Sequence, residues 1–238
     1  EKIVIVTRKT RMEDLILRFN TRAQAKFYIE HSGADFADYE REDAAYRRAL
    51  ELLRQQLDLG LKVQLVDREL LPTFLFAPQD LIVTLGQDGL VANTAKYALG
   101  QPIIAINPDD ERFDGVLLPF TPGQARAAVT RVLRGQHRVR AVTLAEVCLQ
   151  DGQRLLAFND LYIGARTHVS ARYHIRFRNQ SEPHSSSGVI VSTGAGSTGW
   201  LSSVFNMASG VLSLLSGSVD ASPSSPAAPA PGPRPSTV

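Results

Sequence analysis

The sequence predicts an α/β N-terminal domain with a parallel sheet, followed by a β-rich, mainly antiparallel C-terminal domain. Two observations carry that reading. Up to about residue 135, short apolar runs alternate with segments whose apolar residues recur at helical spacing, and strands separated by helices build parallel sheets covered on both faces. Around Gly135 the texture changes, and strand-like stretches then follow one another with little helix between them. A chain of 238 residues is long enough for two such domains, each able to bury a core.

In order along the chain, "KIVIV" (2–6) reads as a buried strand. Thr10 followed by Glu13 is a capping-box signature for a helix over roughly 11–30. A second helix is expected over about 39–58, with Leu50, Leu53 and Leu57 on one face and Gly60 as its stop. "KVQLV" (62–66), "DLIVTL" (80–85) and "PIIAIN" (102–107) read as further strands, and 89–98 and 122–133 as helices. In the second region "RVRAVTLAEVCL", "QRLLAF", "DLYIGA", "ARYHIRFR" and "SGVIVST" are strand-like, with Asp151-Gly152 as a hairpin turn. The expected domains are 1–136 and 137–216. The tail, 217–238, spaces Pro223, Pro226, Pro229, Pro231, Pro233 and Pro235 among Ala, Ser and Gly, and is expected to be disordered because it offers little apolar surface to bury.

Composition narrows the function. The chain is 44% hydrophobic and 21% charged with a net charge of +2, so nothing points to a nucleic-acid binder driven by phosphate neutralisation. The apolar runs are short and broken by charge, which argues against a membrane span. No basic segment precedes an apolar one at the start, so a cytoplasmic location is expected by elimination. The single Cys148 excludes an internal disulfide and a multi-cysteine zinc site, and reads as a small buried hydrophobe. His31, His137, His168, His174 and His184 show no metal-ligand spacing, and neither a P-loop nor a G-x-S-x-G elbow is present.

Three stretches carry candidate chemistry. In "VIVSTGAGSTGW" (189–200), Gly194, Gly196 and Gly199 spell G-x-G-x-x-G, but the context is wrong for a dinucleotide-binding βαβ unit. The stretch follows antiparallel strands, and no second parallel strand comes after it. Its glycines, with the hydroxyls of Ser192, Thr193, Ser197 and Thr198, suit either a phosphate or sugar at a helix N-terminus or a plain Gly/Ser turn. In "VTLGQDGLVANTAKYA" (83–98), Gly86, Asp88 and Gly89 sit between an apolar strand and a helix. An aspartate there can accept a hydroxyl proton or help place a metal-bound phosphate; a tight turn is the alternative. Asn159-Asp160 could read an adenine edge and a ribose, or form an Asx turn.

The order of these stretches resembles the NAD kinase family, whose motifs run GGDGT, then NE, then T-x-T-G-S-T-A-Y. "GQDGL", "NDLYIG" and "STGAGSTGW" stand in their places, "INPDDERFDGVLLP" (106–119) resembles the segment after the first, and "ARYHIRFR…SSSGVIVSTGAGSTGW" is most similar to the mitochondrial-type branch. The resemblance covers roughly residues 1–210 and implies a NAD kinase/diacylglycerol kinase-like fold. It implies transfer of phosphate from ATP with Mg²⁺ to the adenosine-ribose 2′-hydroxyl of NAD, giving NADP. It also implies small-molecule nucleotides as partners and a homo-oligomer; no residue is assigned as a metal ligand. Asp88 is then the base, Gly86 and Gly89 let the backbone approach the phosphates, Asn159 and Asp160 contact the nucleotide, and Thr193, Gly194, Gly196, Ser197 and Thr198 help form its pocket. Two departures stand out: Gln87 and Leu90 replace the second glycine and the threonine of the first motif, and the family's β domain continues well past the third motif. A related lipid- or sugar-type kinase, a nucleotide-binding protein without catalysis, and a structural protein whose glycines only make turns are the other readings.

Overall fold

The computed structural model describes residues 2–98 and 100–215. In chain order the first half contains β1 (Lys2–Thr7), α1 (Arg11–Phe19), α2 (Arg22–His31), α3 (Phe36–Gln56), β2 (Lys62–Asp67), β3 (Leu81–Leu85), α4 (Asp88–Ala95), β4 (Ile103–Ile106) and α5 (Ala125–Leu133). The second half contains β5 (Ala145–Cys148), β6 (Arg154–Ala157), β7 (Asp160–Gly164), β8 (Ala171–Phe177), β9 (Gln180–Ser186), β10 (Gly188–Ser192) and α6 (Trp200–Leu215). Two compact units result, Glu1–Leu161 and Tyr162–Val238. The proline-rich stretch 217–238, expected to be disordered, lies outside the described residues.

The first unit is built on a parallel sheet of order β2-β1-β3-β4, with Ile5 in register with Leu65 on one side and Val83 on the other. Ile3, Ile5, Val83, Leu85 and Ile106 face Leu53 of α3, Leu57 at its C-cap, and Ala125 and Val129 of α5. Val4, Val6 and Ile82 face the other way, against Leu71, Phe76 and Leu90. β3 is buried at every position, as a parallel strand covered on both faces must be. Each such aliphatic side chain contributes about 1.5–3 kcal/mol when taken out of water.

The capping box of Thr10 and Glu13 forms as expected, but the helix it opens is half the expected length. Asn20 takes a left-handed conformation (φ 64°) and ends α1, and the Thr21 hydroxyl accepts the Gln24 N–H to open α2. Asparagine tolerates that conformation better than most residues, so Asn20-Thr21 is a stop and a start side by side. The two helices pack through Met12, Ala25 and Ile29 onto Phe36.

In the second half only Ala145–Cys148 of the long run 138–149 is strand, joined to β6 by a turn with Gly152 at φ 85°. β7 pairs with β10, and β8 pairs antiparallel with β9. β9, "QSEPHSS", does not stand out in the sequence because it is polar and carries Pro183, which a two-stranded hairpin accommodates on its open edge. Cys148 is exposed rather than buried: Glu146 and Cys148 share the solvent face of β5, and alternation along the strand leaves Ala145 and Val147 on the more protected one. Among the described residues no helix is long and apolar enough to cross a membrane.

Candidate functional site

In the first unit the chain leaves β1 for β2 on one side and then returns to place β3 on the other. Open α/β sheets bind ligands outside the carboxyl ends of the strands at such a reversal. Arg8, Lys9 and Thr10 follow β1 there, and Gly86, Gln87, Asp88 and Gly89 follow β3. Gln87 is the N-cap of α4 but makes no side-chain capping bond, and Asp88 is the first residue of the helix. Gly86 is buried, and a Cβ there would stand 2.8 Å from Leu90 Cδ2, so a larger residue would have to push the Leu90 side chain aside. Gly89 is exposed, and a Cβ there would meet nothing within 4 Å, so its backbone borders open space.

Asp88 is half-buried, and its Oδ1 accepts the Leu117 N–H at 2.8 Å. The segment that brings Leu117 there is organised by Asn107, which is buried. Its amide donates to the Phe113 carbonyl (2.8 Å), its Oδ1 accepts the Asp109 N–H (3.1 Å), and its own N–H donates to the Phe120 carbonyl (2.7 Å). Gly115 is required in this loop twice over, by φ 62° and by the 2.9 Å a Cβ would leave to Asn107 Nδ2. Among the described residues no other hydrogen bond reaches the Asp88 carboxylate, so one oxygen remains for a ligand.

A charged cluster borders the same strand ends. Glu42, 3% exposed, accepts from Arg8 Nη2 at 2.8 Å and from Arg11 Nε at 2.5 Å. Asp38 accepts from Arg11 at 2.7 Å and from Arg112 at 2.6 Å. Burial opposes ionisation of Glu42, but the hydrogen bonds from Arg11 and Arg8 outweigh it and hold its carboxyl below the usual range. Hydrogen bonds from Arg112 and Arg11 hold the Asp38 carboxyl well below that range. These residues escaped the sequence reading because each pair joins positions far apart in the chain. The one visible signal was "TRKTR" directly after an apolar strand.

The remaining candidates divide between the units. Asn159 is exposed, and Asp160 opens β7 with a buried Oδ1 that has no hydrogen-bond partner among the described residues. In the second unit Thr193 Oγ1 accepts the Gly196 N–H (3.1 Å), and Ser197 Oγ donates to the Gly194 carbonyl (2.8 Å). Two hydroxyls of that turn are therefore engaged with its own backbone. Gly194, Ser197 and Thr198 are exposed, whereas Gly196 is buried and opens a 3-10 turn. Among the described residues no three His, Cys, Asp or Glu side chains converge on a metal position. Mg²⁺ seldom needs such a cage, since it keeps several waters and binds through substrate phosphates with one or two carboxylates.

No family model matches the chain. Curated relatives do. The chain is 31% identical to the NAD kinase of Prosthecochloris aestuarii over 127 residues, 51% of this chain and 43% of that protein. It is 25% identical to the NAD kinase of Chlorobaculum tepidum over 124 residues, with the same coverage, and 28% identical to that of Saccharolobus solfataricus over 127 residues, 53% of this chain and 49% of that protein. The chain thus spans less than half the length of these curated relatives. A parallel four-stranded sheet with flanking helices, followed by antiparallel strands, is consistent with the two-domain fold of NAD kinases.

Proposed function

We propose that this chain is an NAD kinase-type phosphotransferase, transferring phosphate from ATP to the adenosine-ribose 2′-hydroxyl of NAD to give NADP. The observation that carries the reading is Asp88: a half-buried carboxylate at the reversal point of a parallel sheet, fixed through one oxygen and open at the other, beside a glycine that borders empty space. The similarity to proteins named NAD kinase supports it, and the 171–200 stretch resembles the mitochondrial-type branch. Asp88 accepts the ribose hydroxyl proton. Gly89 lines the phosphates, and Gly86, whose N–H donates to the Ile106 carbonyl (3.2 Å), shapes the turn behind it. Asn159, Asp160 and the Thr193–Thr198 turn hold the nucleotide, Asp160 through its unpartnered oxygen. Mg²⁺, when bound, neutralises phosphate charge; the protein's own share is positioning and proton acceptance.

Incubation of the protein with NAD, ATP and Mg²⁺ should yield NADP. Asp88→Asn keeps size and hydrogen bonding but loses proton acceptance, so kcat should fall about 10²- to 10⁴-fold. NAD affinity should shift little, since the lost interaction develops in the transition state. A variant that keeps most of its turnover removes Asp88 from the chemistry. Binding of NAD without NADP formation favours a second reading, a nucleotide-binding protein without catalysis. Gln87, an exposed side chain in place of the family's glycine, is the feature that speaks for that reading.

A further inference from the structure

Tyr46 of α3 is 5% exposed, and its hydroxyl lies between the carboxyl ends of the two central strands. It accepts the Arg8 N–H at 3.1 Å and donates to the Leu85 carbonyl at 3.0 Å. The register of β1 against β3 ends at Val6 with Thr84, so beyond that pair the phenol joins backbone groups that the sheet ladder no longer joins. On the far side of Leu85 stand Gly86 and the Asp88 turn. Arg8 reinforces the link. Its guanidinium lies 5.3 Å from the centre of the Tyr46 ring and is held by Glu42, while its Cδ is 3.7 Å from where a Gly86 Cβ would stand. Burial pushes the Tyr46 hydroxyl up to about 12, so it stays protonated and able to donate throughout the neutral range.

We propose that Tyr46 is a positioning residue for the candidate site: one hydroxyl sets the spacing of the β1 and β3 ends and thereby the placement of Asp88. The proposal rests on the reading of Asp88 as the base, so its test needs one readout that depends on that reading and one that does not. The full chain carrying Tyr46→Phe is compared with the parent and with Val129→Ala, a control truncation of a buried apolar side chain on α5 that carries no hydrogen-bonding group. Hydrogen exchange over 85–89 and steady-state NADP formation are followed together. Removing the hydroxyl leaves a buried N–H and C=O unpaired, so exchange over 85–89 should rise about tenfold or more. Exchange over 103–106 should stay unchanged. Turnover should fall about 10- to 100-fold, the cost of a misplacement on the order of 1 Å, with the KM for NAD within about threefold. Val129→Ala should lose thermal stability yet keep kcat and the exchange at 85–89. Should Tyr46→Phe fail to fold, Glu42→Gln, which loosens Arg8 but spares the phenol, should show the same signs at smaller amplitude. Unchanged exchange at 85–89, or raised exchange with full kcat, overturns the proposal. A parent that makes no NADP overturns the kinase reading alone; the exchange then decides by itself whether the hydroxyl sets the turn.

Discussion

Two regions of this molecule both contain apolar strands yet differ in what those strands bury. In the first unit, Ile3, Val4, Ile5 and Val6 are all fully buried, because helices cover both faces of the sheet. Among described residues 162–215 only Gly196 is buried, while Ile163, Phe177 and Phe205 are 51%, 67% and 63% exposed. The sequences "KIVIV" and "GVIVS" differ little in hydropathy. What differs is a second layer: a two-stranded ribbon has no partner face and is marginal by itself. Side chains that the first unit would place with precision stand, in the second, on a surface with little to hold it.

The largest expected effect tests that contrast directly. Leu53→Ala, at a fully buried position, should cost about 2–5 kcal/mol in urea unfolding followed by far-UV circular dichroism. Phe205→Ala, on exposed α6, should change stability by less than about 0.5 kcal/mol. Equal losses would break the comparison.

A pH titration sharpens it further. Asp38 and Glu42 both have carboxyls held below their ordinary values in the folded chain. Their stabilisation is complete above the unfolded carboxylate value of about 4 and is lost as pH falls from there through the lowered folded values. The melting temperature of the first unit should therefore drop as pH goes from about 5 to 3, and the pair Asp38→Asn, Glu42→Gln should flatten that slope. An unchanged slope in that double variant would count against these two carboxylates as its source. The smallest effect concerns Cys148. Being exposed, its thiol should react with a disulfide reagent in the folded protein within about tenfold of the denatured rate. Protection much beyond that would show that β5 is covered.

The legible parts of the chain were those whose cause is local. Continuous apolar runs announced β1, β3 and β4, Thr10 and Glu13 announced a helix start, and Asp151-Gly152 announced a hairpin. Asn20-Thr21 was also local, but helical periodicity continues across it and hides the break. β9 was hidden because its strand state comes from pairing with β8, not from its own residues. Cys148 misled because burial on a strand depends on what lies opposite, which no hydropathy pattern states. At the candidate site, Gly86, Asp88 and Gly89 were visible as a turn after a strand. Leu117, which fixes Asp88, and Tyr46 and Glu42, which brace the strand ends, come from 29 to 39 residues away or more and gave no sign.

The strand order also sets a timetable. β1 is central in the sheet, yet its neighbours β2 and β3 are the second and third strands of the chain, and roughly eighty residues separate the start of β1 from the end of β3. At about 5–20 residues per second, a ribosome needs about 4–16 seconds to make that stretch. Until β2 is made the Ile3–Val6 run has neither edge paired, and until β3 follows it has only one, so the nascent chain carries an adhesive strand edge for that time. The capped α1 and α2 are local structures whose turns form and melt in well under a millisecond, so they are sampled many times before the sheet can close.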